Sequence, residues 1–396
     1  MDVWGMISVS FADRMARLGT ESAFEVLAKA KRLETQGRSV IHLEIGQPDF
    51  PTAPDICEAA YQAMKDGYTG YGPAAGLPEL RSAIADHIST TRQVNVVPEN
   101  VVVMPGAKPV IFFTILALVN PGDEVIYPDP GFPIYESVIR FVGGVPVPLP
   151  LVEADGFRFR QEDLRLVVSD RTKLLILNSP QNPTGGALSQ DDLSAIATLA
   201  QTHDFWILAD EIYSRILYDQ DHHSILSLPG MGDRTILLDG FSKTYAMTGW
   251  RLGYAVASKP MAEQLEKLMI NSNSCTASFT QMAGVAALQG DQKFVNEMVT
   301  AFYQRRQVLV DGLNQIEGIC CTLPAGAFYA FANVSQVPLS SQALADYLLE
   351  TAGVATLAGQ SFGQNGEGYL RLSYANSLEN IEQALGRIKD AIAQLS

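Results

Sequence analysis

Seven short apolar runs, at 101–104, 124–127, 145–149, 173–177, 206–209, 236–238 and 253–257, constrain this chain more than any other feature. Most are solid apolar stretches with no alternation, as strands buried on both faces require. Helical stretches such as 188–203 separate several of them. Strands that alternate with helices predict an α/β fold: a doubly wound, mostly parallel sheet of seven strands. Ligands of such sheets bind beyond the carboxyl ends of the strands, so the segments that follow each run are where chemistry is expected.

Composition sets the outer bounds. The chain has 396 residues, 47% of them hydrophobic and 18% charged, which is enough core for one large domain and a smaller one. The division expected is an N-terminal arm and part of a small α+β domain over 1–50, a large domain over 51–289, and the rest of the small domain over 290–396. A net charge of −15 with no basic block argues against nucleic acid and anionic membrane surfaces as partners. The longest apolar run, near 110–119, falls short of the roughly 20 residues a spanning helix needs. It stops at Asn120-Pro121-Gly122 and reads as a buried core helix. Asp2 with no basic cluster before an apolar core does not read as a signal peptide. Cys57, Cys275, Cys320 and Cys321 show no CxxC spacing, which fits a reducing cytoplasm better than a disulfide framework. The histidines form no ligand frame; His222-His223 reads as a solvated turn, and no metal is expected.

The chemistry concentrates in the stretch 235–254, TILLDGFSKTYAMTGWRLGY. An apolar strand ends at Asp239-Gly240, and Ser242, Lys243 and then Arg251 follow. A lysine just past a buried strand, with a second cation nearby, is desolvated and crowded, and both effects lower an amine pKa. A neutral amine can form a Schiff base with an aldehyde. Ser242 and Arg251 can hold a phosphate dianion, the arginine through its fork of donors. An aldehyde that also carries a phosphate describes pyridoxal 5′-phosphate.

This stretch resembles the lysine signature of the class I/II pyridoxal-phosphate-dependent aminotransferases, with Gly240 where that family often has a first hydroxyl. Further segments resemble the family in the same order, from Gly46 to about Leu385. Gly46-Gln47-Pro48-Asp49-Phe50, by itself a turn, is similar to the segment whose glycine backbone lies beside the substrate carboxylate. The loop 68–81 carries Tyr71, which the resemblance assigns to the cofactor phosphate of a neighbouring subunit, and so implies a homodimer with shared active sites. Gly106-Ala107-Lys108 opens a helix whose free N–H groups attract phosphate; Lys108 itself is equally readable as solvated. Phe132 takes the position of the ring-stacking aromatic. Asn182, in Asn182-Pro183-Thr184-Gly185, takes that of the amide donor to the phenolic oxygen. Asp210 is readable as a helix N-cap, but the motif order puts it on the ring nitrogen, which a carboxylate keeps protonated. Tyr213 is placed on the phenolic oxygen, Glu211 with a local structural partner, and Arg371 in the alternating strand 369–374 on the substrate α-carboxylate.

The resemblance implies amino-group transfer from an L-amino acid to a 2-oxo acid, such as 2-oxoglutarate or pyruvate, by a ping-pong mechanism with Lys243, Asp210 and Tyr213 as the catalytic residues. A β-lyase or other carbanion chemistry would use the same lysine. A regulator would need a basic DNA-binding domain ahead of Gly46, where only about forty unremarkable residues stand. A non-catalytic scaffold would have no use for Lys243, Asp210 and Arg371. No arginine occurs between Arg251 and Arg305, so an arginine clamp on a distal carboxylate is not expected there, and neutral amino acids should also react.

Overall fold

The computed structural model describes residues 10–395. All seven apolar runs are strands of a single sheet: β1 Val101–Met104, β2 Glu124–Asp129, β3 Val145–Pro150, β4 Thr172–Asn178, β5 Trp206–Asp210, β6 Thr235–Gly240 and β7 Gly253–Val256. The order across the sheet is β1-β7-β6-β5-β4-β2-β3. Only β7 runs against its neighbours, pairing antiparallel with both β1 and β6. Every residue of β1, β2, β6 and β7 is buried, which explains why these strands read as solid apolar runs. Edge strand β3 carries prolines at 146, 148 and 150. At this spacing the missing N–H groups all fall on the outer side, where no ladder needs them.

Helices cover both faces. Helix Lys108–Leu118 is the expected core helix and buries Val110, Ile111, Phe113 and Ile115. Helix Lys259–Ser272 buries Met261, Leu265 and Met269. Among the described residues no helix is long and apolar enough to cross a membrane. A second, three-stranded antiparallel sheet contains β8 Tyr329–Asn333, β9 Leu357–Ala358 and β10 Tyr369–Ser373, with β10 in the middle. Helices Lys293–Leu313 and Leu378–Ile392 pack together beside it.

Two local expectations are corrected. The apolar segment 40–45 reads in the sequence as a strand, but it forms only the two-residue strand Ile41–His42, which pairs with Val354–Ala355. Beyond it Leu43 and Ser373 are joined by a backbone hydrogen bond, so the segment continues as a connection without a ladder. Segment 369–374 does not alternate between core and solvent: residues 370–373 are all buried, because β10 is a central strand covered on both faces.

Candidate active site

The topology brings the polar segments to one edge of the large sheet. Strands β2, β4, β5 and β6 all end there, and β7, running the other way, begins there, with Gly253 opposite Gly240. Arg251, just before β7, therefore stands beside Ser242 and Lys243, just after β6. These residues, with Gly46, Ala107, Lys108, Phe132, Asn182, Asp210, Tyr213 and Arg371, line a cavity of about 550 Å³. That volume suits a cofactor-sized ligand. Gly106 adjoins it. Tyr71 does not line it; its side chain is 93% exposed on the loop before helix Pro78–Arg92.

The Lys243 amine donates to the carbonyl of Gly46 at 2.6 Å. Burial lowers its pKa to about 8, and Arg371, Arg251 and Lys108 push in the same direction. Asp210 is buried at the end of β5, and burial raises its carboxyl to about 6. Two hydrogen bonds moderate that rise. The Tyr135 hydroxyl donates to one carboxylate oxygen at 2.7 Å and the Ile212 N–H to the other at 3.2 Å. Asp210 thus stabilises a local turn rather than capping a helix. The same turn, closed by the Ser214 N–H on the Glu211 carbonyl, aims Tyr213 back at the cavity. The Tyr213 and Tyr329 hydroxyls are 2.7 Å apart.

Arg371 projects from the middle of β10 and is buried. Its guanidinium donates to Asn182 Oδ1 at 2.9 Å and to the Glu44 carbonyl. The rings of Tyr329 and Phe362 lie 4.4 and 4.9 Å from it. Its Nε is buried without a hydrogen-bond partner among the described residues. A buried cation with a spare donor, close to two aromatic rings, can receive a carboxylate.

Two glycines mark close approaches. A Cβ on Gly46 would stand 2.1 Å from the Tyr329 hydroxyl oxygen. A Cβ on Gly106, where φ is +98°, would stand 2.3 Å from an Arg251 guanidinium nitrogen. The second approach brings Arg251 against the start of helix Lys108–Leu118, where Pro109 has no N–H and the Val110 N–H is taken by the Ala107 carbonyl, so the Ala107 and Lys108 N–H groups are the ones left for a ligand. Together with Ser242 this is a donor set for a dianion. The cradle, the orphaned Arg371 Nε, the Lys243 amine and the buried Asp210 carboxylate suit pyridoxal phosphate with an amino acid beside it.

Several participants carry no signal in the sequence. Tyr135 and Tyr329 read as core aromatics, and only tertiary packing puts their hydroxyls on Asp210 and Tyr213. Glu21, just before helix Ser22–Thr35, pairs with Lys108, so that lysine faces the cavity as part of an ion pair. Glu211 has the local partners expected of it. Its carboxylate lies 2.8 Å from Arg92 Nε, 3.0 Å from His222 Nε2 and 2.5 Å from the Ser224 hydroxyl. Arg92 and His222 hold it down to about 2 against the opposing effect of burial. His222 is therefore no solvated turn residue; its side chain is 11% exposed. Asp49 and Phe50 serve packing: Asp49 pairs with Arg305 at 2.7 Å, and the Arg305 guanidinium lies 5.1 Å from the Phe50 ring.

A family model for aminotransferase class I and II matches residues 38–388. An aspartate aminotransferase of Musicola paradisiaca is 37% identical over 388 residues, 97% of each chain. Among solved structures, the aspartate aminotransferase of Rhizobium meliloti superposes with a TM-score of 0.94 at 34% identity, covering 98% of this chain and 100% of its own. An alanine aminotransferase of Pyrococcus furiosus gives 0.93 at 31% identity, covering 97% and 100%.

Proposed function

The chain belongs to the class I and II aminotransferases and is a pyridoxal-phosphate-dependent enzyme that moves an amino group from an amino acid to a 2-oxo acid, and we propose that Lys243, Asp210 and Arg371 are the residues on which that reaction turns. When bound, the cofactor supplies an electron sink for negative charge at the donor's α-carbon. Lys243 offers the amine to which the aldehyde attaches. Once freed by the incoming donor, the same Nζ takes the proton from the donor's Cα and would deliver it to the cofactor's former aldehyde carbon, C4′, an acid–base role worth roughly 10²–10⁴-fold. Its pKa of about 8 leaves a useful fraction neutral near pH 7 while keeping it basic. Asp210 faces the ring nitrogen. A cation placed there draws its raised pKa back down, so carboxylate and protonated ring stabilise each other. Tyr213 and the Asn182 amide address the phenolic oxygen, while Ser242, Arg251 and the Gly106-Ala107-Lys108 turn take the phosphate. Phe132 covers the ring, and Arg371 with the Gly46 backbone orients the donor's α-carboxylate.

The observation that carries this assignment is the Lys243 amine, partly buried, bonded to a carbonyl and paired with no carboxylate among the described residues, in one cavity with Asp210 and Arg371. We read the molecule as a cytoplasmic homodimer. The 93% exposure of Tyr71, outside its own cavity, suits a residue that serves a partner subunit, and the four free cysteines suit a reducing compartment. Within the expected segments 1–50 and 290–396, residues 10–50 and 290–395 are proposed to form a smaller domain that brings Arg371 to the large one; positions 1–9 and 396 lie outside the described residues.

Similar proteins bear the names of both aspartate and alanine aminotransferases, so likeness alone does not choose the donor. The absence of an arginine between Arg251 and Arg305 favours a range that includes neutral amino acids. The test is kcat/KM for aspartate, glutamate, alanine, leucine and phenylalanine with 2-oxoglutarate or pyruvate as acceptor. Neutral donors are expected to react. Aspartate ahead of every neutral donor by about 10³ or more would contradict this range.

A further inference from the structure

Lys108 and Glu21 meet at the wall of the cavity from two elements distant in sequence. Lys108 opens helix Lys108–Leu118, and Glu21 stands just before helix Ser22–Thr35. Their side chains form an ion pair in which the Glu21 side chain is 17% exposed and that of Lys108 46%. The ammonium also lies 5.6 Å from the centre of the Phe132 ring. Phe24, Ile111, Leu357 and Phe362 add apolar surface to the same cavity.

Among the described residues, the cations that line the cavity are Lys108, Lys243, Arg251 and Arg371. Three of them already have tasks: Lys243 at the reacting carbon, Arg251 at the phosphate and Arg371 at the α-carboxylate. The turn at Lys108 serves the phosphate through its backbone, so the Lys108 ammonium is the remaining charge that a second carboxylate on the substrate can use, and Glu21 already neutralises it. A dicarboxylic substrate must displace Glu21 or place a second negative charge against the same ammonium. An apolar side chain faces no such conflict and gains contact with the aromatic wall. A built-in repulsive element of this kind sets specificity by penalising the wrong ligand. The field of Glu21 also reaches the reaction centre, where it favours the charged forms of Lys243 and Arg371.

We propose that Glu21 is a specificity-determining residue: by holding Lys108 it turns the cavity away from dicarboxylic substrates and toward L-amino acids with uncharged, apolar side chains. The inference rests on the transamination reading. Glu21→Gln keeps the shape and removes the charge. In that variant the ratio of kcat/KM for aspartate over phenylalanine is expected to rise at least about tenfold above wild type, worth about 1.4 kcal/mol. The rise should vanish in Glu21→Gln/Lys108→Gln, since it depends on the freed lysine. Calorimetric binding of non-reacting succinate against hydrocinnamate gives the same comparison without turnover, and should move the same way. A ratio unchanged or lowered in the single variant, or a rise that survives in the double variant, would overturn the proposal. If wild-type enzyme loaded with cofactor turned over none of the five donors, the transamination reading would fail, and the specificity role with it.

Discussion

The Lys243 amine donates to the Gly46 carbonyl at 2.6 Å, and no carboxylate pairs with it among the described residues. Burial therefore dominates, and its pKa falls from 10.5 to about 8. Between those values the unfolded chain holds a proton that the folded chain lacks, so this residue makes the cofactor-free protein more stable as pH rises through that window. Below about pH 8 the full cost is present. Lys243→Met removes it. The cofactor-free variant is expected to be more stable than wild type at pH 7 by on the order of 1–3 kcal/mol, with a difference that shrinks toward pH 10. Urea unfolding at the two pH values checks this, and a variant less stable at pH 7 would contradict it. The same variant should lose transamination, because no other amine stands in its place. Lys243, Asp210 and Arg371 were legible in the sequence because each follows or sits in an apolar strand inside a recognisable run. Tyr135, Tyr329 and Glu21 were not. Their partners lie 75, 116 and 87 positions away, and nothing local marks the contact.

At the scale of elements, the connection after Ile41–His42 meets β8 through one unoccupied side-chain position. Gly46 leaves room for the Tyr329 hydroxyl, which a Cβ would approach to 2.1 Å. That hydroxyl is tied to Tyr213, and the ring beneath it lies 4.4 Å from the Arg371 guanidinium. Gly46→Ala must therefore move Tyr329, and with it the ring that lies against the Arg371 guanidinium. The expected result is a stability loss of about 1–3 kcal/mol, as for other overpacked sites, and a raised KM for the amino donor. Removing the obstructing hydroxyl in Gly46→Ala/Tyr329→Phe should recover part of the lost stability. A double variant no more stable than Gly46→Ala alone would show that the clash lies elsewhere. The sequence marks this glycine as a turn former, and the turn is there. The reason no side chain fits comes from a strand almost three hundred residues away.

Across the whole molecule, the large sheet was the most legible part. Strands buried on both faces leave unbroken apolar runs, and each of the seven kept its place within a few residues. The C-terminal sheet was less so. Its central strand β10 buries polar Arg371 and Ser373 among apolar residues, and this mimics an alternating, half-exposed strand. Closing the two sheets on each other puts the Lys243 amine, the Asp210 carboxylate and the Arg371 guanidinium in one cavity. A cavity built this way moves an amino group and does not release it. The direct measurement mixes cofactor-loaded protein with alanine or phenylalanine and no oxo-acid acceptor, and counts products. One equivalent of 2-oxo acid per active site, no free ammonia, and delivery of the retained amino group to pyruvate, added after phenylalanine, are the expected results. Ammonia that accumulates turnover after turnover, with no acceptor present, would show that the cavity releases the amino group rather than transferring it.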